Sequence, residues 1–432
     1  MGDMLSTLKS AWRNEDLHKR LLFTMFMIVL FRVGGSIPVP GIDRVAFTNI
    51  INRFGTLGSM MDLISGGALT SVSIFAMGIQ PYINSSIIIQ LLTVAIPALE
   101  RMSQEGEAGR KKIQNIVRIF TVVLGLFQSF AFWYATNSAT VSTLPKWLTC
   151  LVVVGTFTAG TAVVMWIGEL INMKGIGNGI SILIFAGIIA RLPHMLLSGA
   201  AYFNIWLEQS NIILAVLYVL VIIVVALALL ALITYINIAE RRIPVQYAKR
   251  VIGRKMMGGQ STYLPIRVNQ SSVMPVIFAM SIIQIPSLIS SFAFINSDGP
   301  IVSWFRNLDS NPIQYVFHVL LIIGFTFFYS SIQYNPTEIS NNLQKNGGFI
   351  PGIRPGRPTT EFIRNSANRL NWFEGVFLSF VTIFPMFIGA VTKTNGLWFG
   401  GTAIIIIVGV CMDTITQIQS QMSSRKLKTF LD

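Results

Sequence analysis

The sequence predicts an all-α integral membrane protein with ten transmembrane helices. Of its 432 residues, 53% are hydrophobic and only 12% are charged, and the mean hydropathy is +0.63. The apolar residues fall in blocks of about 20, the number that a helix needs to cross about 30 Å of hydrocarbon. A water-soluble chain of this length would carry more charge.

Ten apolar blocks are long enough to cross a bilayer when the chain is scanned with a window of about 19 residues. An even number of spans places both termini on the same side. The N-terminal residues carry charges of both signs and no small-residue cleavage site, so we expect an uncleaved chain. The predicted spans are residues 20–39, 69–97, 113–135, 147–170, 180–197, 211–238, 271–293, 314–335, 372–392 and 397–417.

The basic residues orient these spans, because Lys and Arg near span ends are retained in the cytoplasm. One side of the predicted membrane holds 25 of the 32 Lys and Arg residues. We therefore predict that both termini are cytoplasmic and that most of the net charge of +14 faces the cytosol. The other side keeps seven basic residues: Arg32, Arg44, Arg53, Lys146, Arg191, Arg306 and Lys393.

Two basic loops on the predicted cytosolic side are larger than topology requires. In residues 239–270, β-branched and aromatic residues flank MMGGQ, which predicts a protruding hairpin. In residues 336–371, the stretch NGGFIPGIRPGRPTT has prolines and glycines that stiffen a tip. Both loops are typical of docking surfaces. Their charges are equally explained by topology alone, or by contact with anionic lipid, ribosomal RNA phosphates or an acidic motor protein.

Residues suited to catalysis or metal binding are scattered along the chain. No nucleophile and base form a visible pair, so the sequence predicts neither an enzyme nor a cofactor. GIGNG at 175–179 follows no predicted strand and precedes no Lys-Ser/Thr pair, which favours a tight turn over a phosphate cradle. Neither a metal motif nor a disulfide framework is expected from His18, His194, His318, Cys150 and Cys411.

The second apolar block is unusually polar in its middle. Its neutral side chains are explained by hydrogen bonds between helices, with Pro81 as a kink, or by a site that meets water. The second reading follows because Pro81 has no N–H to donate to the carbonyl of Met77. Charged residues lie towards span ends, which disfavours a proton-coupled carrier. A carrier for a small neutral solute, with Gln80 and Asn84 as binding groups, is the alternative function.

Six stretches of the chain carry a family resemblance. They are ISGGALTSVSIFAMGIQPYINSSIIIQLLT (64–93), EGEAGRKKI (105–113), GIGNGISILIFAGI (175–188), RRIPVQYAKR (241–250), FIPGIRPG (349–356) and FGGT (399–402). In this order they resemble the hallmark segments of bacterial SecY, the family of the central subunit of the Sec protein-conducting channel. The resemblance implies two pseudo-symmetric, inverted five-helix halves, residues 1–200 and 201–432, around a central pore.

The resemblance implies a pore ring and a plug. An aliphatic ring offers ions no replacement for their hydration water, so it seals while letting any extended chain slide through. Taken alone, each isoleucine is more often a packing or lipid-facing residue, and the plug segment could be an ordinary extracellular re-entrant turn; only the resemblance favours the ring and the plug. The implied ring is Ile79, Ile83, Ile180, Ile184, Ile277 and Ile406. The implied plug is residues 56–69, with Met60, Met61, Leu63, Ile64 and Ser65, and with Gly66 and Gly67 as a hinge.

The resemblance also implies a lateral gate between the second and seventh spans, with polar residues at Asn84, Gln90, Thr93 and Gln284. Through it a passive channel would release hydrophobic segments into lipid. The expected location is the bacterial inner membrane, and the expected partners are SecE-like and SecG-like subunits, signal sequences, translocating unfolded polypeptides and membrane lipids. The SecA ATPase or the ribosome would drive transport after binding Arg241, Arg242, Lys249, Arg250, Arg254, Lys255, Arg354 and Arg357.

Overall fold

The structure is a computed structural model. It describes residues 15–53, 62, 65–136, 145–193, 212–247, 250–252, 255–257, 261–291, 313–392 and 401–429. The helices are α1 (Glu15–Gly34), α2 (Arg44–Arg53), α3 (Gln80–Ala95), α4 (Pro97–Gln104), α5 (Glu107–Ala135), α6 (Lys146–Lys174), α7 (Gly179–Pro193), α8 (Ile212–Ile238), α9 (Met274–Ser291), α10 (Ile313–Gln333), α11 (Pro336–Lys345), α12 (Arg357–Thr392) and α13 (Gly401–Thr429). The strands are β1 (Glu240–Tyr247), β2 (Arg250–Ile252), β3 (Lys255–Met257), β4 (Ser261–Arg267) and β5 (Gly348–Phe349).

Each of the ten predicted spans overlaps a helix. These helices are α1, α3, α5, α6, α7, α8, α9, α10, α12 and α13. Within the described ranges, five helices are long and apolar enough to cross a membrane by length and composition alone. The pair α3 and α4, bent by 100° at its break, adds a sixth if it is taken as one span.

The second span differs from its prediction at its beginning. Residues 69–79 are apolar but form turns, and α3 begins only at Gln80. Gly78 has a φ of +54°, a left-handed conformation that suits glycine. A right-handed helix cannot continue through such a residue, so α3 cannot extend N-terminally past Gly78. Pro81 therefore lies in the first turn of α3, where its missing N–H leaves no broken helical bond. The expectation that Pro81 kinks a helix interior was wrong.

The two basic loops share one small sheet. Strand β1 pairs antiparallel with β4 from its own loop and with β5 from the second loop, giving the order β4-β1-β5. The predicted hairpin is confirmed, but MMGGQ is not its tip. Met256 and Met257 belong to β3, which pairs with β2 so that Ile252 lies opposite Lys255. One apolar cluster joins the sheet to the helices of the second loop: Ile243, Val245, Ile266, Leu343, Ile350 and Ile363.

The helices pack mainly with others of the same half of the chain. In the first half, α1 packs against α6, α3 against α5, and α5 against α6. In the second half, α8 packs against α13, α9 against α10, and α12 against both α10 and α13. Helix α9 also packs against α3 and α5. The second and seventh spans therefore meet at a seam between the two halves.

Replacing Ile363 with alanine tests the shared core of the sheet. This side chain is fully buried beside the sheet, so we expect the local stability of β1 and β5 to fall by about 2–4 kcal/mol. Hydrogen exchange of the backbone amides in both strands measures the loss. Tyr263→Ala on β4, where the side chain is 61% exposed, is the control and should change exchange little. Equal exchange in the two variants would contradict a core common to both loops.

Candidate functional site

Helices α3, α7, α9 and α10 line a cavity of mixed polarity at the seam. Its volume is about 250 Å³, and Ile83, Ile180, Ile184 and Ile277 line it. Ile79 and Ile406 lie outside this lining but in the same apolar cluster, where they are 3% and 2% exposed. The structure thus brings the six isoleucines of the predicted ring into one cluster. Tyr82, Met274, Phe278 and Tyr329 also line the cavity, although the sequence pattern did not single them out.

Two prolines set where two of these isoleucines lie. Helices α3 and α9 each have proline as their second residue, Pro81 and Pro275. Proline is preorganised for the first helical turn. Ile83 and Ile277 each follow two residues later and donate their backbone N–H to the carbonyl four residues earlier, at 3.1 and 3.2 Å. Both helices of the seam therefore begin in the same way and present an isoleucine to the cavity from the first turn.

The glycine-rich turn before α7 orients the two isoleucines of that helix. The side-chain oxygen of Asn178 accepts the backbone N–H of Ile180 at 3.1 Å and caps the helix. A Cβ on Gly179 would lie 2.0 Å from the carbonyl oxygen of Gly168, so no larger residue fits without displacing the backbone. The tight-turn interpretation of GIGNG is confirmed. It holds Ile180 and Ile184 against the seam.

A polar vestibule adjoins this cavity. Its volume is about 480 Å³, and it shares Asn178, Ser181, Met274 and Tyr329 with the smaller cavity. The larger cavity thus has mostly polar walls, whereas the smaller one combines isoleucines with polar side chains such as Gln90 and Asn172. Other residues that line the vestibule are Asn237, Glu240, Arg267, Asn269, Gln270 and Asp413.

The four predicted gate residues have different surroundings. Asn84 is 4% exposed, and its side-chain oxygen has no hydrogen-bond partner within the described ranges. Gln90 lines the smaller cavity, and its side-chain oxygen also has no hydrogen-bond partner among the described residues. Thr93 donates its hydroxyl to the carbonyl of Ile89 at 2.7 Å, so its donor is used within α3. Gln284 belongs to α9, and its side chain lies outside the described part.

The end of the predicted plug is held close to α7. Ser65, Gly66 and Gly67 lie in turns, and the two glycines have φ values of +69° and +85°. L-residues rarely adopt such values. A Cβ on Gly66 would also lie 2.6 Å from the Cα of Gly187 in α7, so glycine is required by contact as well as by conformation. The remaining plug residues, Met60, Met61, Leu63 and Ile64, lie outside the described ranges.

A buried carboxylate holds the junction between the sheet and α9. Glu374 of α12 is fully buried and accepts the backbone N–H groups of Gln270 and Ser271 at 3.1 and 2.9 Å. Ser272, with a φ of +55°, donates its hydroxyl to Asp413 at 3.3 Å. Sequence reasoning missed Glu374. The only signal was an acidic residue at the start of a predicted apolar span, where charge is costly and needs a partner.

The basic residues of the two loops lie on or beside the small sheet. Arg241 and Arg242 lie on β1, whereas Arg354 and Arg357 follow β5. All four are exposed, and none forms an ion pair in the part of the chain that the structure describes. Arg250 and Lys255 lie in β2 and β3, where their side chains are not described, and Lys249 and Arg254 lie outside the described ranges.

Comparisons with known proteins agree with this arrangement. The family model that matches is SecY, over residues 73–415. A protein translocase subunit SecY from Streptomyces galbus is 43% identical over 99% of this chain and 100% of its own length. The chain belongs to the SecY family. SecY proteins are subunits of a protein translocase rather than enzymes, as the sequence predicts.

Solved structures confirm the SecY fold. One, of a SecY protein whose plug domain stabilises the closed channel and maintains a membrane seal, superposes with a TM-score of 0.64 at 17% identity, covering 94% of this chain and 93% of the other. Canine Sec61 in a ribosome-channel complex superposes with a TM-score of 0.63 at 17% identity and the same coverage. At this identity the likeness establishes the fold, a helical membrane protein with ten transmembrane helices in two halves. The predicted all-α class thus holds for the spans but not for the basic loops, which form small sheets.

Glu374→Gln tests the carboxylate at the junction. A carboxylate accepts both N–H groups, but an amide turns its NH₂ towards one of them, so we expect about 2 kcal/mol less local stability. Hydrogen exchange at Gln270 and Ser271 measures this loss. Glu361→Gln, an exposed change on the same helix, should leave both amides as slow as in the parent protein. Unchanged exchange in the Glu374 variant would contradict the assigned role.

Proposed function

We propose that this translocase subunit itself forms the pore through which unfolded secretory polypeptides pass. The observation that carries the proposal is a polar vestibule of about 480 Å³ that adjoins a cavity of about 250 Å³ with four isoleucines in its lining, which we take as the constriction of the pore. Such a constriction withholds water from ions and therefore resists their passage. Isoleucine side chains make no sequence-specific hydrogen bonds, so an extended chain of any sequence can slide past them.

We place the pore between two halves, residues 1–200 and 201–432. The matching beginnings of α3 and α9, each with proline followed by an isoleucine at the cavity, support this division. The contact of α3 with α9 is then the lateral gate through which hydrophobic segments reach the lipid. The unpaired side-chain oxygens of Asn84 and Gln90 beside this contact become bonded to water or to a partner helix when the gate parts, and so influence its opening. Thr93 and Gln284 complete the proposed set.

We assign the ring and plug roles on the same grounds. Ile79, Ile83, Ile180, Ile184, Ile277 and Ile406 form the seal, and residues 56–69 close it from the outer side. The contact between Gly66 and Gly187 places the described end of this segment against α7, the helix that carries two of the six isoleucines. Removal of the plug from this position opens the path.

We infer that both termini and both basic loops face the cytosol of a bacterial inner membrane, because 25 of the 32 basic residues lie on that side of the predicted spans. The exposed arginines on the small sheet fit partners with acidic or phosphate surfaces. We propose the SecA ATPase and the ribosome, in keeping with the ribosome-channel complex of canine Sec61. These partners supply the driving force, and SecE-like and SecG-like subunits, signal sequences and membrane lipids complete the assembly.

Ion leak tests the pore and its seal. The protein is reconstituted in liposomes with its SecE-like partner, and resting conductance is measured for Ile83→Gly and for a deletion of residues 58–67. Both changes should raise the leak, because the first opens the aliphatic constriction and the second removes the plug. Ile88→Gly is the matched control, since it makes the same backbone change in α3 at a residue that does not line the cavity. Unchanged leak in both test variants contradicts the pore.

Charge reversal tests the docking surface. Arg354→Glu should weaken ribosome binding, because an exposed cation becomes an anion facing phosphate. The loss should be largest at low salt and shrink as salt screens the charges. Titration of the reconstituted channel with ribosomes at several salt concentrations measures both effects. Arg44→Glu, an exposed change on the opposite predicted side, should bind as the parent does; equal binding by both variants would exclude Arg354 from the surface.

A further inference from the structure

A buried ion pair fixes the plug segment where it meets α7. The carboxylate of Asp62 is 1% exposed and pairs with the guanidinium of Arg191, whose side chain is 17% exposed. The same carboxylate accepts the backbone N–H and the hydroxyl of Thr70, at 2.8 and 3.1 Å. Arg191 in turn donates to the hydroxyl oxygen of Thr70 at 3.1 Å. The three side chains thus form a closed set of contacts, called here the Asp62 latch.

The Asp62 latch also touches the backbone of the segment. The N–H of Gly67 donates to the carbonyl of Asp62 at 2.9 Å. A Cβ on Gly67 would lie 3.3 Å from Nε of Arg191, so the guanidinium lies directly against this glycine. Arg32, from the end of α1, donates to the carbonyl of Gly66 at 2.9 Å. Two arginines from different helices therefore hold the segment, and it cannot leave α7 without losing these bonds.

Because Asp62 and Arg191 are largely buried, each charge requires the other as its partner. A buried charge is tolerated only while it is paired and hydrogen-bonded, and removing one member leaves the other uncompensated. Once the segment moves into water, both groups are hydrated and no longer need each other. The pair thus favours one well-defined closed position without binding the segment permanently. Arg32 is exposed and, among the residues that the structure describes, bonds a carbonyl rather than a carboxylate, so its removal leaves no buried charge.

We propose that Arg191 is a positioning residue that holds the plug in the resting channel through Asp62. The proposal deepens the proposed pore function and rests on it. In the closed state Arg191 fixes Asp62 and Thr70 at the end of α7, the helix that also carries Ile180 and Ile184. When a polypeptide displaces the plug, Asp62 separates from Arg191 and both charges become hydrated.

A double-mutant cycle tests the latch in the reconstituted channel. Asp62→Asn and Arg191→Gln should each raise the resting leak of potassium chloride roughly tenfold or more, because each leaves one buried charge unpaired. The double variant should leak no more than the leakier single variant, since neither charge remains. Arg191→Lys keeps the charge but loses the planar fork, so its leak should fall between the parent and Arg191→Gln. Arg44→Gln, at an exposed arginine without an ion pair in the described ranges, is the control.

A translocation assay distinguishes a positioning role of Arg191 from general destabilisation of the channel. The latch stabilises only the closed state, so all latch variants should move a secretory polypeptide at least as fast as the parent. A rise in leak together with a loss of translocation would overturn the proposal in favour of simple destabilisation. Unchanged leak in both single variants, while Ile83→Gly leaks, would overturn the latch and leave the pore standing. Unchanged leak in all three would overturn both.

Discussion

The arrangement of the whole site depends on one non-helical segment, residues 65–79, whose backbone N–H and C=O groups must find hydrogen-bond partners within the protein. Hydrocarbon offers no hydrogen bonds, so a non-helical segment at membrane depth must be bonded within the protein. Residues 65–79 meet this requirement: Val39 donates to Val72 at 2.8 Å, Ile74 donates to Ile37 at 3.0 Å, and the turns bond to themselves. Because this stretch is not helical, α3 begins in the interior, and Ile79 and Ile83 lie at its first turn.

Buried charges add fixed points to this framework. Glu169 is buried and bonds to Arg118 at 2.6 Å, which joins α6 to α5 beside the seam. Glu374 holds the junction before α9, and Asp62 holds the segment against α7. Each of these carboxylates has a partner on another element, as burial of charge demands. They fix the surroundings of the seam, while the seam itself combines aliphatic side chains with amide groups whose oxygens have no hydrogen-bond partner in the described part of the chain.

Length and hydropathy were enough to predict the ten spans, and β-branched residues in the first basic loop were enough to predict strands. They did not predict the break before Gln80, because residues 69–79 are as apolar as the helix that follows. Composition also says nothing about which distant residues meet, so the pairing of Asp62 with Arg191 and the joining of β5 to β1 became visible only in the fold. The isoleucine ring was a special case. In a chain rich in isoleucine its members stood out through family resemblance, not through periodicity.

The sheet shared by the two basic loops has a mechanical consequence. Strand β1 is bonded on one edge to its own loop and on the other to Gly348 and Phe349, and a common apolar cluster lies beneath. We expect such a unit to move as one body, so that a force applied to either loop would reach the other and, through the residues after β4, would reach α9. Two partners that touch different loops would therefore compete for one orientation of the sheet, even where their footprints do not overlap.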